Sequence, residues 1–276
     1  MQIIDTAAMP WEQLRVSSRN MRTSRKLLRY GEALPGVGLY AVIVKTHAQD
    51  EVFTAPRHRH NFSQVRLGVR GQMNFGAGLN CEPGEVGFFP GGAYYGPEEI
   101  NDAEYLLLQW GPDWVTREQD KQAIAELSTR GRFENGMYIY EQDGREISID
   151  GKRAVWEHIY GRPEVIHEPR YRDPIMMTAD NFDWLAGDGV SQKTLGRFTE
   201  DDAVIQMLRW DCAGTPFEFD ATRTWLIFGL KGRVVIDGQS FGPQTAIWSE
   251  HGETDKVAGE VGTEVYVIGF PLPRPA

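Results

Sequence analysis

The sequence predicts an all-β protein made of two similar barrels joined by a partly helical connector. Short runs of apolar, β-branched and aromatic residues dominate two regions of the chain, and the 30 glycines fall largely between such runs. This punctuation is typical of antiparallel sandwiches and barrels. Apolar residues make up 41% of the 276 residues, which is enough for a sizeable packed core.

Each region contains six such runs, which we predict to be strands. In the first region they are 37–44, 52–55, 62–69, 72–75, 86–89 and 105–110. In the second region they are 203–210, 216–219, 224–230, 233–236, 245–248 and 265–270.

The segment between the regions predicts helices and a hairpin. Thr116 followed by Gln119 has the spacing of a capping box, an apolar stripe follows, and Gly131 is a natural stop. A second short helix is predicted over 152–160. Asp143-Gly144 is a favourable hairpin turn between arms at 137–140 and 146–149.

The two regions repeat one another in three places, in the same order and at nearly constant offset. The matched stretches are 69–73 with 230–234, 84–90 with 242–248, and 104–112 with 264–271. Such a repeat indicates a divergent duplication. We therefore predict an N-terminal barrel over 30–114, a connector over 115–173 and a C-terminal barrel over 174–276.

Composition argues against several classes of protein. Lys and Arg number 29 against 39 Asp and Glu, a net charge of −10 that would repel a nucleic-acid backbone. Residues 1–29 hold no apolar leader segment, and no run of 18 apolar residues occurs, so we expect a cytoplasmic protein without membrane spans. Cys81 and Cys212 are too few for a disulfide scaffold or a cysteine-based zinc site.

The stretch 56–66 carries the most chemical information. His58 and His60 are two residues apart, so on a strand their side chains would share one face and converge inside a barrel. Gln64 and Arg66 form a second pair of the same kind. Two imidazoles and an oxygen ligand commonly bind Fe, Mn, Ni, Cu or Zn. The structural alternative is a solvent-exposed His-x-His on a polar loop.

Two stretches resemble the motifs of the cupin family. The first is His58-x-His60-x3-Gln64-x6-Gly71, and the second is Gly84-x5-Pro90-x-Gly92-x2-Tyr95. With the duplication, the chain resembles a bicupin over most of its length. The resemblance implies two double-stranded β-helix (jelly-roll) barrels with a metal in the first. Residues 55–66 are also similar to a stretch of gentisate and salicylate ring-cleaving dioxygenases.

Two positions depart from the cupin motifs. Gln64 stands where most cupins carry Glu, and Tyr95 stands where they carry a third His. Tyr95 could be a metal ligand, a general acid or base beside a three-ligand metal, or a wall of the pocket. A site that no longer binds metal is a further alternative.

Arg66 is a candidate for substrate binding. If it points into the barrel, its guanidinium needs an anion, which a substrate carboxylate would supply. The alternatives are an outward arginine or one paired with an acidic neighbour. Gln109 is a weaker candidate of the same kind.

The second barrel lacks the metal-binding pattern. Aligned on the repeat, its ligand positions fall on Phe219, Ala221, Trp225 and Glu253. We therefore expect a structural or dimer-forming barrel with Phe219 and Trp225 in its core.

These expectations combine into a metal-dependent bicupin enzyme acting on a small organic acid. One divalent metal, iron in preference to Mn, Ni or Zn, would be bound by His58, His60, Gln64 and Tyr95, with Tyr95 and Arg66 as catalytic residues. The resemblance favours a non-haem iron dioxygenase. The alternatives are a non-redox isomerase, lyase or hydrolase on an oxo acid, hydroxy acid or sugar acid, and a non-catalytic ligand-binding cupin. A small-molecule substrate and a homodimer are the expected partners.

Overall fold

The computed structural model describes residues 1–14, 23–34, 37–47, 52–112, 115–199 and 202–270. Within these ranges the chain is mostly β, with two α-helices, α1 (Arg117–Leu127) and α2 (Gly151–Tyr160), and 3-10 turns at Thr6–Ala8 and Ala179–Asn181. The strands in chain order are β1 (Gln2–Asp5), β2 (Glu12–Leu14), β3 (Thr23–Leu34), β4 (Val37–Thr46), β5 (Phe53–Ala55), β6 (Ser63–Arg70), β7 (Met73–Gly76), β8 (Leu79–Cys81), β9 (Glu85–Phe89), β10 (Glu98–Ile100), β11 (Glu104–Gly111), β12 (Gly131–Glu134), β13 (Met137–Gln142), β14 (Arg145–Asp150), β15 (Ile175–Thr178), β16 (Val190–Phe198), β17 (Ala203–Trp210), β18 (Phe217–Glu218), β19 (Trp225–Lys231), β20 (Val234–Ile236), β21 (Gln239–Phe241), β22 (Thr245–Ser249), β23 (Lys256–Gly259) and β24 (Glu264–Gly269).

The two main sheets share one strand order. The larger runs β15-β9-β6-β11-β4-β3-β2, and the other runs β1-β22-β19-β24-β17-β16. Strands β9, β6, β11, β4 and β3 therefore correspond in turn to β22, β19, β24, β17 and β16. The predicted duplication is visible in this equivalence, and the all-β class with two cupin-like barrels is confirmed.

The chain divides into two compact units. One comprises Trp11–Met176, and the other comprises Met1–Pro10 with Met177–Ala276. In the latter, β1 pairs with β22, the position that β15 holds beside β9. The units differ from the predicted segments because residues 1–10 join the second barrel and the connector belongs to the first unit. The predicted boundary at 114 lies outside the described residues.

Buried apolar side chains fill both barrels. In the first unit, Val42, Val44, Met73 and Tyr105 belong to one core cluster. In the second, twelve buried residues form a continuous core that includes Trp210, Phe219 and Trp225. Consecutive residues along β4, β19 and β24 are buried, so both faces of these strands are covered.

The connector has the predicted elements. Thr116 and Gln119 form both bonds of a capping box at the start of α1, and Gly161 ends α2 in the left-handed conformation. The hairpin β13–β14 turns through Asp143 and Gly144, both with positive φ, which is the geometry of a type I′ turn. The helices and this sheet share a small core that includes Tyr138.

The sequence analysis did not predict several of the observed strands, among them β1, β2, β3 and β16. β3 carries Ser24, Arg25 and Lys26, all buried. Charged residues are rare in cores unless paired, so the pattern of β3 predicts a solvated segment rather than a strand. Among the described residues, helices fall short of the length and hydropathy needed to cross a bilayer.

Candidate active site in the first unit

A cavity of about 340 Å³ lies within the first unit. The inner face of the barrel supplies one side, including His58, His60 and Tyr95. The connector supplies another side, including Arg117 and Trp156. The connector is therefore part of the cavity wall as well as a link between the barrels.

The histidine segment differs from the predicted strand. His58 and Tyr95 form an isolated antiparallel bridge, with hydrogen bonds of 2.9 and 3.0 Å between their main-chain groups. The carbonyl oxygen of His60 accepts a 2.7 Å bond from the amide of Gly92. Residues 58–60 therefore lie outside the named strands. The directions of the two imidazole rings do not follow from the alternation of side chains along a strand. Gly92 has φ +89°, and a Cβ there would collide with the carbonyl oxygen of His167.

His58 is held by a main-chain oxygen on one side and faces a carboxylate on the other. Its Nδ1 lies 2.6 Å from the carbonyl oxygen of Pro56, and its Nε2 lies 3.9 Å from Oε2 of Glu98. An acceptor at Nδ1 favours the tautomer with the proton on Nδ1, which leaves the Nε2 lone pair toward Glu98. His58 and Glu98 are both buried.

His60 lies beside His58 but in a different environment. The two ring centroids are 4.9 Å apart, and the His60 ring stacks on Phe62 at 4.4 Å. His60 is partly buried, whereas only 4% of the His58 surface is exposed.

The amide of Gln64 is hydrogen-bonded at both ends. Its Nε2 donates to the Tyr95 hydroxyl at 2.7 Å, and its Oε1 accepts from Gln109 at 3.0 Å and from Arg66 at 3.3 Å. The sheet produces part of this network, because Gln64 on β6 lies directly opposite Gln109 on β11. Arg66 can only donate, so it fixes the amide orientation. The oxygen predicted to bind a metal is thus occupied by two donors.

Arg66 points into the barrel, but its anion is Glu98. Nη1 of Arg66 lies 2.5 Å from Oε1 of Glu98, and both side chains are buried. Burial opposes the charged guanidinium, yet the adjacent Glu98 carboxylate raises the pKa of Arg66 above its usual value. The proposed carboxylate clamp at Arg66 therefore needs correction, because a residue of the chain already neutralises this charge.

Glu98 is the functional candidate that the sequence analysis missed. It lies on the three-residue strand β10, paired with β5 beside the histidine segment. The available signal was its position three residues after Tyr95, within a short stretch following the second motif.

Glu164, a second carboxyl group that lines the cavity, is a weaker acid than an ordinary glutamate. Burial, together with the carboxylates of Asp150 and Glu157, raises the pKa of Glu164 to about 7. Glu164 therefore exchanges its proton near neutral pH.

The side chains around His58 supply part of the donor set of a divalent metal centre. His58 and Glu98 match by type, and the 3.9 Å between Nε2 and Oε2 exceeds the about 3.4 Å that separates two donors about 2.1 Å from one cation at a tetrahedral angle. Their remaining polar atoms are hydrogen-bonded by Pro56 and Arg66, as is usual for metal ligands. Within the described ranges, no three His, Cys, Asp or Glu side chains are gathered as a metal-binding group. Two donors fit, and His60 lies next to them.

The corresponding region of the second unit is apolar. Phe219 and Trp225 are buried with ring centroids 5.8 Å apart, and both belong to the core cluster. Glu253 is exposed and accepts a 3.1 Å bond from the N-terminal ammonium of Met1. These residues offer no imidazole pair for a metal.

The sequence matches no family model and no curated protein. Solved structures do match it. A candidate dioxygenase from Nostoc punctiforme is 16% identical with a TM-score of 0.60, covering 100% of this chain and 84% of that one. HEPD of Streptomyces albus, with 2-hydroxyethylphosphonate and Fe(II) bound, is 9% identical with a TM-score of 0.57, covering 98% and 76%.

Oxalate decarboxylase of Bacillus subtilis, studied for its Mn(II) centres, is 12% identical with a TM-score of 0.54, covering 99% of this chain and 78% of that one. These neighbours are cupin proteins, and their likeness runs over the whole of this chain. The chain therefore has the two-barrel fold of these cupin proteins.

Proposed function

We propose that the first unit is the catalytic domain of a metal-dependent enzyme acting on a small organic acid. The observation that carries the proposal is the placement of Nε2 of His58 3.9 Å from Oε2 of Glu98, where both residues line a cavity large enough for a small molecule. The metal-containing structural neighbours support the same conclusion.

His58 and Glu98 would hold the metal, with the neighbouring His60 as the third candidate ligand. Two imidazoles and one carboxylate are a common ligand set for a catalytic metal with open positions. Glu98 is favoured over Gln64 as the oxygen ligand, because Gln64 turns its amide nitrogen toward Tyr95 and its oxygen toward Arg66. When bound, a divalent metal would polarise a substrate oxygen, and iron would add oxidative chemistry.

Tyr95 would move a proton. Its oxygen accepts a hydrogen bond from Gln64, so its own hydroxyl hydrogen is directed elsewhere. Its ring packs edge-on against His58 at 4.4 Å, and both residues line the cavity. A hydrogen bond received by the oxygen also stabilises the phenolate left after proton donation. Arg66 would position Glu98 without contacting the substrate.

Metal analysis tests this proposal directly. We expect about one iron, manganese or zinc ion per chain after reconstitution and gel filtration, and a loss of at least tenfold in His58→Ala, His60→Ala and Glu98→Gln. His158→Ala is the matched control, because His158 also pairs with a glutamate, Glu126, at 2.6 Å on the exposed surface of α2. Metal content below one-tenth per chain in the unaltered protein would overturn the proposal.

A second candidate is a non-redox isomerase or lyase that needs no metal. This candidate is favoured because, among the described residues, no three His, Cys, Asp or Glu side chains are gathered as a metal-binding group. In that case the His58–Glu98 pair would act as the base and Tyr95 as the acid. An oxygen electrode separates dioxygenase from non-redox chemistry once a substrate is found, because only the dioxygenase consumes O2.

A further inference from the structure

Arg25 and Arg117 meet at one corner of the same cavity. Nε of Arg25 lies 3.1 Å from one oxygen of Glu12, and Nη1 of Arg117 lies 3.1 Å from the other. Arg25 also donates a 3.2 Å bond to the hydroxyl of Tyr40. Arg25, Tyr40 and Arg117 line the cavity. We call these three residues the arginine corner.

The arginine corner carries an excess of positive charge. Two guanidinium groups share the single carboxylate of Glu12, whose side chain is 49% exposed. Arg25 itself is only 6% exposed. A half-solvated carboxylate shared by two arginines leaves about one positive charge uncompensated at the cavity surface.

Other cations that line the cavity have a carboxylate of their own among the described residues. Arg66 pairs with Glu98, Lys152 with Asp120, Arg153 with Glu157 and Arg59 with Glu168. The excess charge is therefore particular to the arginine corner and is absent at Arg66.

Glu164, an acidic residue that also lines the cavity, is influenced by charges other than those of the arginine corner. The charges that most affect Glu164 are those of Asp150, Glu157, Arg153 and Arg59, and neither arginine of the corner is among them. Asp150 accepts bonds from the amides of Lys152 and Arg153 in the first turn of α2, so the positive end of that helix offsets its charge.

Helix α1 adds to the positive potential at the arginine corner. Arg117 is the first residue of α1, and Thr116 caps the helix. The N-terminal end of a helix carries about half a positive charge. The bond of 2.6 Å from Lys152 to Asp120 ties the first turn of α2 to that of α1.

We propose that the arginine corner binds the carboxylate of the organic acid. This inference rests on the proposed function for the identity of the substrate and adds where the acid is held. Nη2 of Arg25 makes no hydrogen bond to a described residue, and a planar carboxylate matches the guanidinium fork. Phe53, Leu107 and Trp156 also line the cavity and would contact an apolar substrate body. The reacting end would then lie at His58.

Benzoate binding tests the proposal, with benzamide as its neutral isostere. Isothermal titration of the full chain, stripped of metal with EDTA, should give a benzoate Kd at least about tenfold lower than that of benzamide, because a charged hydrogen bond is lost with the amide. We expect Arg25→Gln to weaken benzoate binding at least about tenfold and Arg117→Gln about threefold, with benzamide unchanged.

The matched control is Arg132→Gln. Arg132 also bridges two carboxylates, Glu134 and Glu146, in the same unit, but it does not line the cavity. Its benzoate Kd should equal that of the unaltered protein. If circular dichroism shows that Arg25→Gln is unfolded, Arg117→Gln and Tyr40→Phe decide the question, since Arg117 is more exposed and Tyr40→Phe keeps the ring.

Binding to His58→Ala separates this inference from the proposed function. Retained benzoate binding in His58→Ala and loss in the corner variants supports the arginine corner even if the protein binds no metal. Loss in His58→Ala with retention in the corner variants places the anion beside His58 and overturns the inference. Inorganic phosphate that competes as well as benzoate would show a general oxyanion site and would also overturn the carboxylate assignment.

Discussion

The amide nitrogen of Gln64 donates a hydrogen bond of 2.7 Å to the hydroxyl of Tyr95, and both side chains are buried. These are the two positions at which the sequence departs from the cupin motifs. Each residue supplies the hydrogen-bond partner that the other needs. The glutamine supplies an N–H donor that a glutamate lacks, and the tyrosine hydroxyl supplies the acceptor. The two departures are therefore linked by a direct hydrogen bond.

Tyr95→Phe should destabilise the protein and leave metal content unchanged. The substitution leaves the buried Nε2 of Gln64 without its acceptor, which costs about 1–3 kcal/mol. Urea unfolding measures the stability, and mass spectrometry measures the metal. Tyr94→Phe is the control, since Tyr94 is 39% exposed. Loss of metal together with stability would instead identify Tyr95 as a ligand.

Removing either partner of the Arg66–Glu98 pair should be costly, and removing both should cost less than the sum. A single Arg66→Met or Glu98→Gln substitution leaves a buried charge unpaired, at about 3–5 kcal/mol. The double variant removes both charges, so a double-mutant cycle in urea should give a coupling of at least about 2 kcal/mol. Additive effects would contradict the buried pair.

Phe219→Ala should lower stability without changing metal content. Phe219 is 2% exposed in the core of the second unit, and its truncation costs about 3–5 kcal/mol. Phe217→Ala, at the partly buried neighbour, should cost less. Calorimetry and metal analysis on the same samples provide the readout. Equal metal loss in Phe219→Ala and His58→Ala would contradict the assignment of the metal to the first unit.

Stability should fall as pH rises from about 4.5 to about 7 because of Glu164. Its pKa in the folded chain is raised to about 7 from an ordinary value of 4.5, so the folded state holds a proton that the unfolded state releases in this window. Below pH 4.5 both states are protonated and the effect disappears.

Glu164→Gln should therefore raise the stability at pH 8 and leave it unchanged near pH 4. We expect a gain of about 1–2 kcal/mol at pH 8, reduced by solvent screening because the carboxyl is only partly buried. Thermal unfolding across pH measures it. Glu168→Gln, at a side chain 88% exposed, should show no such difference. A pH profile identical to that of the unaltered protein would refute this role for Glu164.

The two cysteines should differ strongly in reactivity. Burial raises the pKa of the Cys81 thiol to about 12, whereas Cys212 is exposed. Iodoacetamide at pH 8 should label Cys212 within minutes and Cys81 only after unfolding, because the thiolate is the reactive species. Peptide mass spectrometry with a Cys212→Ser control distinguishes the sites. Fast labelling of Cys81 in the folded protein would contradict its burial.

Local sequence patterns were sufficient for much of the fold. Runs such as 203–210 coincide with observed strands, and the Thr116 capping box and the Asp143-Gly144 turn lie where predicted. These features depend on residues close together in the chain, whose side-chain alternation and backbone preferences act locally. The polar strand β3 was missed because its charged residues do not show the apolar pattern of a strand, and its pairing with β4 is not visible in its own sequence.

The sequence by itself determined the two-barrel architecture, the apolar interior of the second barrel and the candidate status of His58, His60, Gln64, Arg66 and Tyr95. Only the tertiary structure decided how these groups are partnered. Glu98 reaches His58 and Arg66 across strands, and Arg25 meets Arg117 from positions 92 residues apart. Charge and hydrogen-bond partners are set by distances of a few ångströms in space, and spacing along the chain does not contain those distances.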